Sequence, residues 1–182
     1  MSEIKSAVEI ALEKTKGLDL SREEKEKLRE EEIDQKARSL VIRYLEVDFN
    51  FREYEKELSR IDPEQRPHLE KRILHELIEA IQLDGDNDPI FQGIEALQPK
   101  AAGPLGELKS LLKRYREKRE REYLQTEENL LARFASLRIT GSAVQVNVDG
   151  SQEWARSLAA FQPAFEKELR SLKEKIEKEI TG

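Results

Sequence analysis

Arg138-Ile139-Thr140-Gly141-Ser142-Ala143-Val144-Gln145-Val146-Asn147-Val148-Asp149-Gly150 is the stretch on which the reading of this chain turns. Elsewhere the sequence is patterned as charged helix; here Val144, Val146 and Val148 alternate with polar residues, the period of a strand. Gly141-Ser142 is a Gly-X pair, which suits the two-residue type II′ turn of a hairpin. A long helical pattern enters the stretch and another leaves it. The sequence therefore predicts an antiparallel helical hairpin with a short β-hairpin at its tip, over residues 138–150. A lone β-hairpin is marginal in water, so its valine edge must lean on the helices or pair with a second chain. Val144, Val146, Val148 and the nearby Trp154 are accordingly the candidate interaction residues.

Working outward, residues 105–137 read as one helix, roughly 50 Å long at about 1.5 Å per residue. Leu108, Leu111, Leu112 and Tyr115 anchor one end, and Leu130, Leu131, Phe134 and Leu137 anchor the other. On the far side, Trp154, Leu158, Phe161, Phe165, Leu169, Leu172, Ile176 and Ile180 recur every three or four residues. Pro163 is expected to kink or divide that helix, because it has no N–H to donate.

The N-terminal half reads as shorter helices. Ile4, Val8, Ala11 and Leu12 form one stripe ending near Gly17, and Ser21 with Glu24 forms a capping box before a helix running to about Glu46. Beyond it, a four-three spacing from Ile33 to Ile61 would suit an unbroken seam, but Val47, Phe49 and Phe51 alternate and Asn50-Glu53 repeats a capping pattern, which favours a break near residues 47–50. Pro63 and Pro67 bracket a restart, a helix follows to about Leu83, and a short one spans Pro89 to Leu97. Two prolines and two glycines between Gln98 and Gly106 mark the best boundary in the chain. The fold class is all-α: a small helical bundle (1–97), a linker (98–106) and a coiled-coil-like hairpin (107–182).

Composition narrows the function. Charged residues make up 38% of the 182 and aromatics only 6%, which favours thin helical packing over one large globule. With a formal net charge of −6 and both signs interspersed, the chain lacks the character of a nucleic-acid or acidic-membrane binder. Cysteine is absent, removing thiolate chemistry altogether. No segment approaches the roughly 18 to 20 apolar residues needed to span a bilayer. Met1 to Lys16 has no uninterrupted apolar core of a signal peptide, so the cytoplasm is the expected location.

Four patterns invite a chemical reading. Asp84, Asp86, Asp88 and Glu95 occupy the first, third, fifth and twelfth positions of a calcium loop, but Pro89 stands where that loop needs a glycine. Capping and turn roles compete with calcium there. His68, His75 and Glu79 share one helix face without completing a zinc motif. The basic run Lys113, Arg114, Arg116, Lys118, Arg119 and Arg121 is interleaved with Glu117, Glu120 and Glu122, the composition of a solvated face with intrahelical ion pairs. No phosphate loop, nucleophile elbow or nucleophile-base pairing stands out, and the chain reads as non-enzymatic.

The opening Met1-Ser2-Glu3-Ile4-Lys5-Ser6-Ala7-Val8-Glu9-Ile10-Ala11-Leu12-Glu13-Lys14-Thr15-Lys16, with Thr140-Gly141, resembles small uncharacterised helical proteins of environmental bacteria. That resemblance implies a bacterial origin and no assigned activity. The helix, hairpin, helix order after residue 105 also resembles the layout of a prefoldin subunit, which implies a holdase chaperone by analogy of layout only. The expected function is that of a structural or protein-interaction protein working through its hairpin, by a protein partner or self-association. The alternatives are a calcium-responsive module at 84–95 and a prefoldin-like holdase.

Overall fold

The computed structural model describes residues 21–46, 56–61, 63–141 and 144–181. The first predicted helix, near residues 4–15, lies outside the described residues. Helix α1, Arg22–Leu45, starts on the predicted capping box: Glu24 N–H donates to Ser21 Oγ at 3.2 Å and Ser21 N–H to Glu24 Oε2 at 2.7 Å. Its first three turns are solvated. Only its second half, at Ala37, Leu40 and Val41, reaches the core. Glu46 is extended and ends the helix; the predicted break at 47–50 lies outside the described residues.

Helix α2, Arg66–Ala80, carries Pro67 in its first turn, where no hydrogen bond is forfeited. Leu69, Ile73, Leu74, Leu77 and Ile78 form its buried stripe. It closes at Ala80, three residues short of the expected Leu83. Helix α3, Asp88–Leu97, lies under both. Its Gly93 is a packing requirement: a Cβ there would sit 3.0 Å from Tyr44 Cε1 and 3.2 Å from Leu77 Cδ1. Tyr44 then donates its hydroxyl to the Pro89 carbonyl at 2.9 Å, tying α1 to the start of α3.

The 98–106 run is helical throughout its second part. Pro99–Ala101 forms one 3₁₀ turn that leads directly into α4, Ala102–Ser136. Ala101 and Leu105 are buried, and the main apolar cluster continues across the run from α1, α2 and α3 into α4. Helix α5, Gln152–Thr181, runs on through Pro163, so of the kink or division expected there the division does not occur. The reason is placement: Pro163 and Ala159 are both exposed, so the carbonyl freed by the missing N–H faces solvent and needs no protein donor.

Helices α4 and α5 form the predicted antiparallel hairpin. Lys175 reaches Glu107 at 2.8 Å, Arg114 pairs with Glu168, and Tyr115 packs on Phe161 and Phe165 with ring centroids 6.0 and 5.4 Å away. Towards the far end Tyr123 meets Trp154 edge-on at 5.3 Å.

The predicted β-hairpin at 138–150 is corrected. Among the described residues of that stretch there is no strand. α4 ends in a Schellman motif, with Ile139 N–H on the Phe134 carbonyl at 2.9 Å and Arg138 N–H on the Ala135 carbonyl at 2.9 Å. Arg138 occupies the left-handed position at φ 62°. Past this turn Ile139 is 50% exposed and residues 139–140 form no ladder; the predicted turn at Gly141-Ser142 runs into 142–143, which lie outside the described residues. The second segment does alternate as read: Val144 and Val146 are half-buried and Val148 buried, while Gln145 and Asn147 are exposed. Its apolar side docks on the helices instead of on a second strand.

Candidate functional site

The distal end of the hairpin is built by local capping at both helix ends. Ser151 accepts the Trp154 N–H at 3.1 Å and so caps α5. Just before it, Asn147 Oδ1 accepts the Gly150 N–H at 3.0 Å, and a Cβ at residue 150 would fall 2.8 Å from Asn147 Nδ2. Gly150 is therefore the residue that lets the Asn147 side chain fold over the turn. These caps hold Val148 against Leu130 and Trp154, which together form a small apolar cluster flanked by Tyr123, Val146 and Leu158.

The two helices are offset at this end. α5 begins at Gln152, and its Glu153 pairs with Arg133 at 3.0 Å, so the last turn of α4 runs past the start of its partner. Leu137 is 62% exposed as a result, and Leu131 on the adjoining face is 39% exposed. Leu124 and Ile139 add further exposed apolar surface, each 50% accessible. At the opposite end of α4, Leu105, Leu108, Leu111, Leu112 and Tyr115 are fully buried.

The sequence-predicted interaction residues divide accordingly. Val148 and Trp154 are core residues of the tip and present no surface; Val144 and Val146 are half-covered. The exposed large apolar residues of the hairpin are Leu131 and Leu137, which the periodicity assigned to the buried seam, together with Leu124 and Ile139; α1 also exposes Leu28, Ile42 and Leu45. The signal that separates them is relative helix length: α5 starts too late to cover the last turn of α4.

The four acids of the predicted calcium loop do not converge. Asp84 Oδ2 accepts the Tyr115 hydroxyl at 2.8 Å, with Arg119 3.4 Å from Oδ1. Asp86 accepts the Asp88 N–H at 3.1 Å as a turn cap, and Glu95 pairs with Lys109 at 2.7 Å. The loop is organised by Asn87, which is buried and was not singled out in sequence. Its side chain accepts from Gln82 N–H at 3.0 Å and donates to the carbonyls of Gln82 and Gly85 at 2.7 and 3.0 Å. Among the described residues no group of three His, Asp or Glu side chains is placed to hold a metal.

Burial, followed by the Asp84 hydrogen bond, pushes the Tyr115 hydroxyl up to about 12. Along α4 the basic run is paired within the helix in part, Lys113 with Glu117 at 3.9 Å and Lys118 with Glu122 at 2.6 Å, while Arg114 and Arg119 reach across to Glu168 and Asp84. The Lys118 hydrogen bond, with a second from Ser157, holds the Glu122 carboxyl below its ordinary range.

His68 and His75 do share a cleft, of about 950 Å³, between α1, α2 and the end of α5. His75 Nδ1 contacts Glu177, whereas Glu79 faces Lys173 at 4.0 Å. In the same cleft Arg72 Nε lies 2.7 Å from Asp34 Oδ1 but off its N–H direction, so that shielded oxygen gains charge attraction without a linear hydrogen bond. The cleft is open and mixed in charge, with no convergent donor set. Among the described residues no helix is long and apolar enough to cross a membrane. Comparison of the chain with protein families, with curated proteins and with solved structures finds no match.

Proposed function

We propose that this protein is a non-enzymatic interaction protein that binds a protein partner through the distal end of its helical hairpin. The observation that carries the reading is the uneven burial along α4: complete at Leu105 to Tyr115, and lost at Leu124, Leu131 and Leu137. Large apolar residues gathered at the end of a long element, with a buried cluster holding that end in shape, suit a docking surface. A cytoplasmic setting belongs to the same proposal. The test is a pull-down from the native organism with the wild-type chain and with Leu131→Glu/Leu137→Glu. Both side chains are exposed, so the double variant keeps its helical circular dichroism and loses the captured partners. Capture of the same partners in the same amounts by the double variant refutes the tip as the binding surface.

The exposed leucines at the end of a helical hairpin favour one further reading, a prefoldin-like holdase. Suppression of client aggregation by the wild-type chain, diminished in the double variant, supports it; no suppression removes it.

A further inference from the structure

The hairpin carries two apolar clusters, not one. The body cluster ends at a layer formed by Tyr115, Phe161 and Phe165, while the tip cluster begins with the Tyr123–Trp154 pair. Between them lies a polar layer: Lys118 Nζ donates to Glu122 Oε1 at 2.6 Å, and the Ser157 hydroxyl donates to Glu122 Oε2 at 2.8 Å. Thr126, buried one turn further on, spends its hydroxyl on the Glu122 carbonyl at 2.7 Å. Among the described residues only Leu158 packs against both clusters.

The tip also stands clear of the body at its side. An open cleft of about 660 Å³ separates the loop at Leu83 to Gly85 from Asp149 of the tip turn, with Arg119 spanning it. Arg119 is the cross-link: its guanidinium lies 5.8 Å from the Trp154 ring centroid while Nε is 3.4 Å from Asp84. Its neighbour Lys118 lies over Phe161 at 6.0 Å. Apart from the two continuous helices that run through both, the side-chain connection between body and tip is made by one leucine and by charged side chains whose contacts are replaceable by water.

We infer that the distal hairpin is a separately opening unit, latched to the body through Arg119 and the Lys118–Glu122–Ser157 layer, whose release exposes Leu130, Val148 and Trp154. Cooperative units in proteins follow contiguous buried contacts, and a small cluster joined to a larger one by polar groups opens at lower free energy than the whole. Opening adds Trp154, Val148 and Leu130 to the surface already exposed at Leu131, Leu137 and Ile139. The use of the opened tip rests on the interaction reading above; the opening itself does not.

Hydrogen exchange on the full-length chain, read by mass spectrometry in segments, tests the inference. Amides at 123–137 and 152–158 are expected to exchange at least about tenfold faster than those at 108–115 and 165–176, through openings that leave the latter protected. Trp154, the sole tryptophan, gives the second readout: its fluorescence midpoint in urea falls below that of far-UV circular dichroism. Arg119→Gln, a surface change, lowers tip protection by a further factor of about ten and leaves the body unchanged. Equal protection of tip and body overturns the proposal, as does an equal loss in both on Arg119→Gln. An opening tip combined with unaltered partner capture by Leu131→Glu/Leu137→Glu refutes the interaction reading alone.

Discussion

Removing one oxygen from Tyr115 tests how the loop at Asp84 is held. The ring is fully buried among Phe161 and Phe165, and its hydroxyl donates to Asp84 Oδ2 at 2.8 Å. Tyr115→Phe keeps the packing and deletes only that hydrogen bond, which ends on a charged acceptor and so is worth about 1.5–3 kcal/mol. The same group adds a pH dependence. Burial, and then the Asp84 hydrogen bond, push the Tyr115 hydroxyl from its ordinary 10.0 up to about 12 in the folded chain. Its folded value is raised, so its contribution is complete below pH 10 and is lost as pH climbs from about 10 to about 12. Because burial is the first cause of the displacement and the Asp84 hydrogen bond the second, this loss at high pH reports the cost of a buried tyrosinate together with the loss of the bond. At about 2–4 °C per kcal/mol for a chain of this size, Tyr115→Phe should lower the thermal midpoint at neutral pH by about 3–12 °C. Urea titrations at pH steps from 8 to 12 should show wild type converging on the variant as pH rises. Taking the difference between the two chains cancels the titration of the other tyrosines, including Tyr44, whose hydroxyl burial also pushes up. Parallel stability profiles from pH 9 to 12, with a constant gap, would refute the reasoning.

Three other outcomes follow from named contacts. Asn87→Ala deletes the three hydrogen bonds by which a buried side chain ties Gln82 and Gly85 together, and should cost about 0.5–1.5 kcal/mol per bond in urea denaturation. Arg138→Gly relieves a left-handed non-glycine residue at the Schellman position, and should stabilise the tip by about 1 kcal/mol, read as a higher Trp154 fluorescence midpoint. Millimolar calcium should leave the thermal midpoint unchanged, since Asp84 and Glu95 are engaged with Tyr115, Arg119 and Lys109; a calcium-dependent rise abolished by Asp86→Ala would overturn that assignment.

The helices were legible because their causes are local. Ser21 and Glu24 announce α1, Pro67 and Pro89 sit in first turns, and the stripe from Trp154 to Ile176 sets α5. The valine alternation at 144–148 was legible too, since an extended segment with one covered side reads the same whatever covers it. What covers it was not. A period of two does not distinguish a neighbouring strand from a pair of helices, and Gly141-Ser142 says nothing of the Schellman turn three residues earlier. The acidic loop misled for a related reason: spacing aligns carboxylates along the chain, while their partners, Tyr115 and Lys109, come from another helix.

Sequence by itself determined a mostly helical fold with an antiparallel α4–α5 hairpin, because apolar periodicity and end caps act over a few residues. Only the tertiary structure decided the offset between the two helices, which exposes Leu137 at the last turn of α4. It likewise decided the division of the hairpin core at Glu122 and the use of Asp84 to hold Tyr115. Each depends on which residues meet across elements far apart in the chain, and that depends on the relative lengths and register of whole helices.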